Sequence, residues 1–217
     1  MASGEIAVWF RAIEGTPDSD NFIRTLLSHY TGLPPAAVVI ARGEHGKPYL
    51  ANAEQRAQFS ISHSGDWVVC AIAMEVSLGV DIEFHDQRRE VMPLAHRFFS
   101  EGEYRHLLAM DPDAGRRRFY DLWTLREARV KALGSTLGKE LESADFQLED
   151  TRSLPLIRPR PGDPDDFYGL YSVFAGYSFA LCALSSQTHP PRVTMFELLP
   201  GGEVRTMPVN LLASSHF

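Results

Sequence analysis

Three acidic residues and one lysine carry the pattern best suited to chemistry. In the run GVDIE, Asp81 and Glu83 stand two apart between apolar neighbours. On a strand such residues leave the same face, so both carboxylates point to one side. Acids on a half-buried strand are costly unless a cation or hydrogen-bond donors meet them. Taken alone, the pattern equally describes a solvated edge strand. The third acid is Glu127 in WTLREARVKALG, where Trp123, Glu127 and Lys131 follow at four-residue steps and fall on one helical stripe. Glu127 and Lys131 could be an ordinary surface ion pair, but a stripe headed by tryptophan is not a fully solvated one. Should the three acids converge, three oxygen donors suit Mg²⁺, which keeps water ligands and takes further oxygens from a phosphate.

Two further segments bear on that reading. SISHSG places Ser62, His63 and Ser64 at a strand end before Gly65. Adjacent strand residues point to opposite faces, and no G-x-S-x-G elbow surrounds either serine, so Ser/His hydrolase chemistry is not supported. A phosphate-binding turn built from hydroxyls, backbone N–H groups and an imidazole fits better, with an unliganded turn histidine as the plain alternative. Gly46–Lys47–Pro48 is a turn that presents a lysine, a weak signal by itself.

The elements that must position these groups follow from the hydrophobic pattern. Strands are expected at Ile6–Ile13, Val38–Ile40, Phe59–Ser62, Trp67–Ala73 and Leu78–Glu83, the last two as a candidate hairpin. Ile23, Leu26, Leu27 and Tyr30 mark a helix stopped by Gly32 and Pro34–Pro35. Short helices are expected at Pro93–Phe99 and Glu101–Met110, then a turn from Asp111 and a long helix from about Arg117 to Leu133, ended by Gly134. Pro155 to Pro164 reads as an exposed loop. Tyr168–Phe174 and Tyr177–Leu184 read as paired strands, and the stretch from Val193 as a weak edge strand. GDWVVCAIA from Gly65 and GYSFALCAL from Gly176 echo each other, which suggests two similar halves with a ligand site between them; chance likeness of two buried strands is the alternative.

Composition narrows the class. With 217 residues, 44% hydrophobic and 23% charged, the chain is an ordinary globular one. A formal charge of −7 argues against a general nucleic-acid binder. Cys70 and Cys182 sit in apolar runs and are too few for a disulfide framework or a thiolate metal site. No signal-peptide pattern opens the chain and no apolar run approaches a membrane span, so a soluble, cytoplasmic protein is expected.

In order, GKPYL, FSISHSGDWVVCAIA, GVDIE, RFFSEGEY and FYDLWTLREARVKALG resemble the 4′-phosphopantetheinyl transferases of the surfactin-synthetase-activating type, over about Gly46 to Gly138. The resemblance implies an α+β fold. It would be a pseudo-dimer of two similar halves, 1–76 and 77–217, each an antiparallel sheet packed by helices, with the site at their interface. It implies transfer of the phosphopantetheine arm of coenzyme A to a serine of an acyl or peptidyl carrier protein, releasing adenosine 3′,5′-bisphosphate.

By motif, Asp81, Glu83 and Glu127 would hold Mg²⁺, or Mn²⁺ in its place. Lys131 would contact the coenzyme's phosphates and join Asp81 and Glu127 in catalysis. His63 would meet the 3′-phosphate, while Lys47, Pro48 and Ser62 line the nucleotide pocket, with Arg24 and Arg42 as further basic contacts. The proton acceptor, Glu127 or a metal-bound water, stays open. One departure is the short acidic stretch Glu14 to Asp20, where relatives carry about thirty more residues with basic side chains. Arg116, Arg117 and Arg118 are candidates for docking an acidic carrier. A monomer is expected, because one chain supplies both walls. A non-catalytic coenzyme- or carrier-binding relative and a Mg²⁺-dependent phosphohydrolase are the competing readings.

Overall fold

The structure, a computed structural model, describes residues 4–13, 19–52, 57–135, 145–149, 155–160, 165–184 and 189–216. The first half opens with β1 (Glu5–Ala12), α1 (Ser19–Thr31) and a 3₁₀ turn at Pro35–Ala37. The strands β2 (Ile40–Arg42), β3 (Pro48–Leu50), β4 (Ala57–Ser64), β5 (Trp67–Met74) and β6 (Leu78–Phe84) follow. Three helices come next: α2 (Met92–Phe98), α3 (Glu101–Ala109) and α4 (Pro112–Leu133). The remainder is β7 (Asp145–Glu149), β8 (Leu156–Arg160), β9 (Phe167–Ser172), β10 (Tyr177–Ala183), β11 (Arg192–Leu198), β12 (Val204–Met207) and β13 (Asn210–Ser214).

Two sheets result, ordered β12-β11-β1-β5-β4 and β6-β10-β9-β13-β8-β7, beside the small β2–β3 hairpin. They pack face to face. Ile6, Val8, Phe10, Val69 and Ala71 of the first meet Leu78, Val80, Ile82, Phe179 and Leu181 of the second in one buried layer. The outer face of the first sheet takes Phe22, Ile23, Leu26 and Leu27 of α1. The outer face of the second takes Phe119, Leu122, Leu125 and Ala128 of α4. The order helix, sheet, sheet, helix is the α+β architecture expected. Each echo strand sits inside its own sheet after a glycine turn, Gly65 (φ 54°) or Gly176 (φ 77°). Cys70 and Cys182 both face the helix on their own side.

Several expectations need correction. β6 forms no hairpin with β5; it pairs antiparallel with β10 and becomes the edge of the other sheet. The stretch from Val193 is no edge strand: β11 lies between β1, to which it is parallel, and β12. It returns from the second half because β5 covers only one edge of β1, and the other edge needs partners for its backbone groups. The division at 76/77 therefore separates β5 from β6, yet residues 192–207 complete the first sheet. The sheets are not purely antiparallel, since β13 also runs parallel to β8. Part of the proline-rich stretch forms β8, paired with β7. The turn expected at Asp111 is the start of α4. Asp111 caps it by accepting from the N–H groups of Asp113 (3.0 Å) and Ala114 (3.3 Å), and Pro112 fills the first turn, where no N–H is needed.

Candidate active site

The two edge strands β4 and β6 lie side by side without a ladder between them. Serine side chains take the ladder's place. Ser60 Oγ accepts from the Val80 N–H at 3.1 Å and Ser64 Oγ from the Phe84 N–H at 3.0 Å. On β6, Leu78, Val80 and Ile82 face the core between the sheets. The alternation leaves Gly79, Asp81 and Glu83 on the opposite face, toward α4.

Helix α4 comes unusually close to that face. A Cβ built on Gly79 would stand 1.9 Å from the Ala128 carbonyl oxygen and 2.4 Å from the Ala132 nitrogen. Only glycine permits this approach, which sets Glu127 and Lys131 beside the two strand acids. Lys131 Nζ donates to Asp81 Oδ1 at 2.6 Å and to Ser62 Oγ at 2.9 Å. Ser62 Oγ in turn donates to Asp81 Oδ1 at 2.7 Å, and Ser64 Oγ donates to Glu83 Oε2 at 3.0 Å.

The two strand acids, Ser62, Glu127 and Lys131 line one cavity of about 440 Å³. Asp81, Glu83, Glu127 and Lys131 share its lining with Ser62, His63, Ile61, Pro48, Arg42, Ile40 and the start of α1. Its charge is unbalanced. Burial, then the neighbouring Asp81, pushes the Glu127 carboxyl up to about 7, with Lys131 only partly offsetting this. Burial and Asp81 also raise Glu83. Asp81 is 4% exposed and its Oδ2 is buried with no hydrogen-bond partner. A buried carboxylate oxygen without a donor is the feature a cation would satisfy.

Comparisons with known proteins give the family. The family model "4'-phosphopantetheinyl transferase superfamily" matches residues 77–182, and "4'-phosphopantetheinyl transferase, N-terminal" matches 19–75. A Bacillus subtilis 4′-phosphopantetheinyl transferase is 36% identical over 76% of this chain and 71% of its own length. The 4′-phosphopantetheinyl transferase Sfp of Bacillus subtilis (strain 168) is 33% identical over 81% of this chain and 76% of its own. The chain belongs to the 4′-phosphopantetheinyl transferase superfamily. A solved holo-(acyl-carrier-protein) synthase of Bacillus anthracis is similar over 52% of this chain and 98% of that one, at 19% identity and a TM-score of 0.42, too low to argue from.

In this phosphopantetheinyl transferase, Asp81, Glu83, Glu127, Lys131, Ser62, His63, Pro48 and Arg42 come together in the lining of one cavity. His63 is exposed, and Arg42 is exposed with a bond to the Gly46 carbonyl at 3.1 Å. Lys47 and Arg24 are placed elsewhere. Lys47 Nζ donates to the Ala132 carbonyl at 2.7 Å and to Ser77 Oγ at 3.2 Å. There it meets the negative end of α4, and the half-buried position lowers its pKa. Arg24 gives its guanidinium to the Val38 carbonyl, tying α1 to the chain entering β2. The acidic Glu14 to Asp18 lies outside the described residues.

Among the described residues no three His, Cys, Asp or Glu side chains are drawn tightly enough to form a ready cluster for a metal ion. Three like charges repel, and Lys131 holds one oxygen of Asp81. The donor set nevertheless suits a hard divalent cation, with carboxylate oxygens throughout and one of them unpartnered. Ser64 is legible in the sequence as part of a phosphate-binding turn but not as a partner of Glu83, and nothing in the sequence singles out Gly79. A signal for the first was present in the serines at every second position of FSISHS.

Proposed function

We propose that this chain moves the 4′-phosphopantetheine arm of coenzyme A onto a serine hydroxyl of an apo acyl or peptidyl carrier protein, with Mg²⁺. The serine oxygen bonds to the coenzyme's β-phosphorus while its proton passes to Glu127 or to a water, the pyrophosphate bridge breaks, and adenosine 3′,5′-bisphosphate leaves. The observation that carries the reading is the meeting of Asp81, Glu83, Glu127 and Lys131 with His63, Pro48 and Arg42 on one cavity. A pocket of this size is in the ordinary range for a small ligand.

Asp81, Glu83 and Glu127 would hold the Mg²⁺, which when bound supplies charge neutralisation at phosphate oxygens. Lys131 keeps its ammonium fixed on Asp81 and Ser62, a positive charge that need not reorganise as charge builds on the transferring group. His63 and Arg42 offer donors to the nucleotide side. Since little covalent work falls to the protein in such a transfer, position and charge dominate.

The groove beginning one residue beyond Glu83, about 900 Å³ and lined by Phe84, Tyr177, Arg117 and Arg118, suits an acidic carrier. Arg116 there is engaged with the Asp86 and Arg89 carbonyls, which leaves the exposed Arg117 as the freer charge. Both walls of the cavity come from one chain, in keeping with a monomer.

The test incubates the protein with a fluorescent coenzyme A analogue, an apo carrier and Mg²⁺. Label on the carrier serine is expected. Binding without label would mark a non-catalytic relative, and product released without any carrier would mark a phosphohydrolase; either result overturns the proposal.

A further inference from the structure

We infer that Ser64 is a positioning residue for Glu83, and that the alternating serines of β4 hold the acids of β6 ready for a divalent cation. The inference rests on the metal reading above. β6 is a sheet edge, and its N–H groups toward β4 meet no strand ladder. Buried N–H groups left unmade are costly, so a partner is required. Ser60 supplies it for the buried Val80, and Ser64 accepts in the same way from the N–H of the exposed Phe84.

A hydroxyl that accepts one bond still has its own proton to give. Ser64, accepting from the Phe84 N–H, donates to Glu83 Oε2 at 3.0 Å. Ser62, accepting from Lys131, donates to Asp81 Oδ1 at 2.7 Å. The period of both strands is two, so the serine pair at 62 and 64 keeps step with the acid pair at 81 and 83. Each serine takes one oxygen of one acid. In Asp81 the oxygen that remains is the buried, unpartnered Oδ2. Glu83 has a longer side chain with more rotamers to lose, so fixing it before the cation arrives lowers the cost of binding.

The phosphopantetheinyl transfer itself needs no bond to Ser64, so its effect must be read on the metal. Free Mn²⁺ is titrated with wild-type protein and with Ser64→Ala, Ser64→Cys and Ser64→Thr, and followed by electron paramagnetic resonance. Thermal melting without metal is run alongside.

Ser64→Ala is expected to weaken Mn²⁺ binding by about 10-fold or more, the usual scale for partners behind metal ligands. Ser64→Thr, which keeps the hydroxyl, should bind like wild type, and Ser64→Cys should follow Ala and serves if the alanine variant fails to fold. Lower melting temperature with unchanged Mn²⁺ affinity in Ala and Cys would reduce Ser64 to a partner of the Phe84 N–H and overturn the inference. A threonine variant as weak as alanine would do the same. Wild-type protein that binds no Mn²⁺ would instead overturn the metal reading, and this inference with it.

Discussion

Gly79 and Ala128 stand at the closest approach of β6 and α4, where a single methyl group on the glycine would overlap the helix backbone at 1.9 Å. The contact fixes where Glu127 and Lys131 arrive relative to Asp81 and Glu83, because one residue on each element sets the register of its neighbours. Gly79→Ala must push the helix outward, since the colliding atoms are backbone. Overpacking of this kind costs about 1–3 kcal/mol, and transfer should fall more than stability because the acids and the lysine separate. Urea unfolding together with carrier labelling checks this; full activity in the variant would mean that the close approach does not position the site.

Lys131 is the cation held inside the acidic cluster, 2.6 Å from Asp81 Oδ1. Lys131→Met should lower kcat/KM by about 10²-fold or more, on the scale of a lost electrostatic stabiliser. Steady-state kinetics on the folded variant measure it. A loss confined to a few-fold would make the lysine a mere counter-charge.

Lys47 gives the contrasting case. Its ammonium donates to the Ala132 carbonyl at the end of α4, but burial works against its charge, so Lys47→Met should change stability by no more than about 1 kcal/mol. The KM for coenzyme A should change little. A coenzyme KM raised tenfold with stability unchanged would return Lys47 to the nucleotide pocket that its motif implies.

Asp121 offers a pH test away from the cluster. Burial raises its carboxyl above the ordinary 3.8, and the Ser178 hydroxyl, then Arg118 and Arg117, pull it only partly back. An acid raised in the folded state keeps its proton longer there than in the unfolded chain. Its stabilising effect is therefore present at low pH and lost as pH climbs from 3.8 through the raised value. Asp121→Asn should be more stable than wild type at pH 7, with the gap narrowing toward pH 4. Unfolding curves at both pH values that show a constant gap would contradict the assignment.

Arg117 is exposed on the groove next to Glu83. Arg117→Glu should raise the carrier KM several-fold at low salt and lose most of that effect at high ionic strength, as expected of a surface charge. A KM indifferent to the reversal at low salt would remove the groove as the docking face.

Local patterns were enough for much of this. The alternation in GVDIE placed β6 with both acids on one face, and the four-residue stripe from Trp123 to Lys131 placed α4 with Glu127 and its lysine together. What could not be read was which edges meet. β6 takes β10, nearly a hundred residues on, and β1 takes β11, because such pairings depend on free sheet edges and not on local spacing. The contact that Lys47 makes was hidden for a related reason: its turn was legible, but the helix end that its ammonium meets lies 85 residues away. Asp111–Pro112 read as a turn because capping residues and turn residues are the same types.

Asp81, Glu83 and Glu127 are proposed to share one divalent ion. Crystals grown with coenzyme A and Mn²⁺, measured near the manganese absorption edge, test it directly. A single anomalous peak is expected, with oxygens of all three carboxylates at about 2 Å. A peak bound elsewhere, or none there at saturating Mn²⁺, would contradict it.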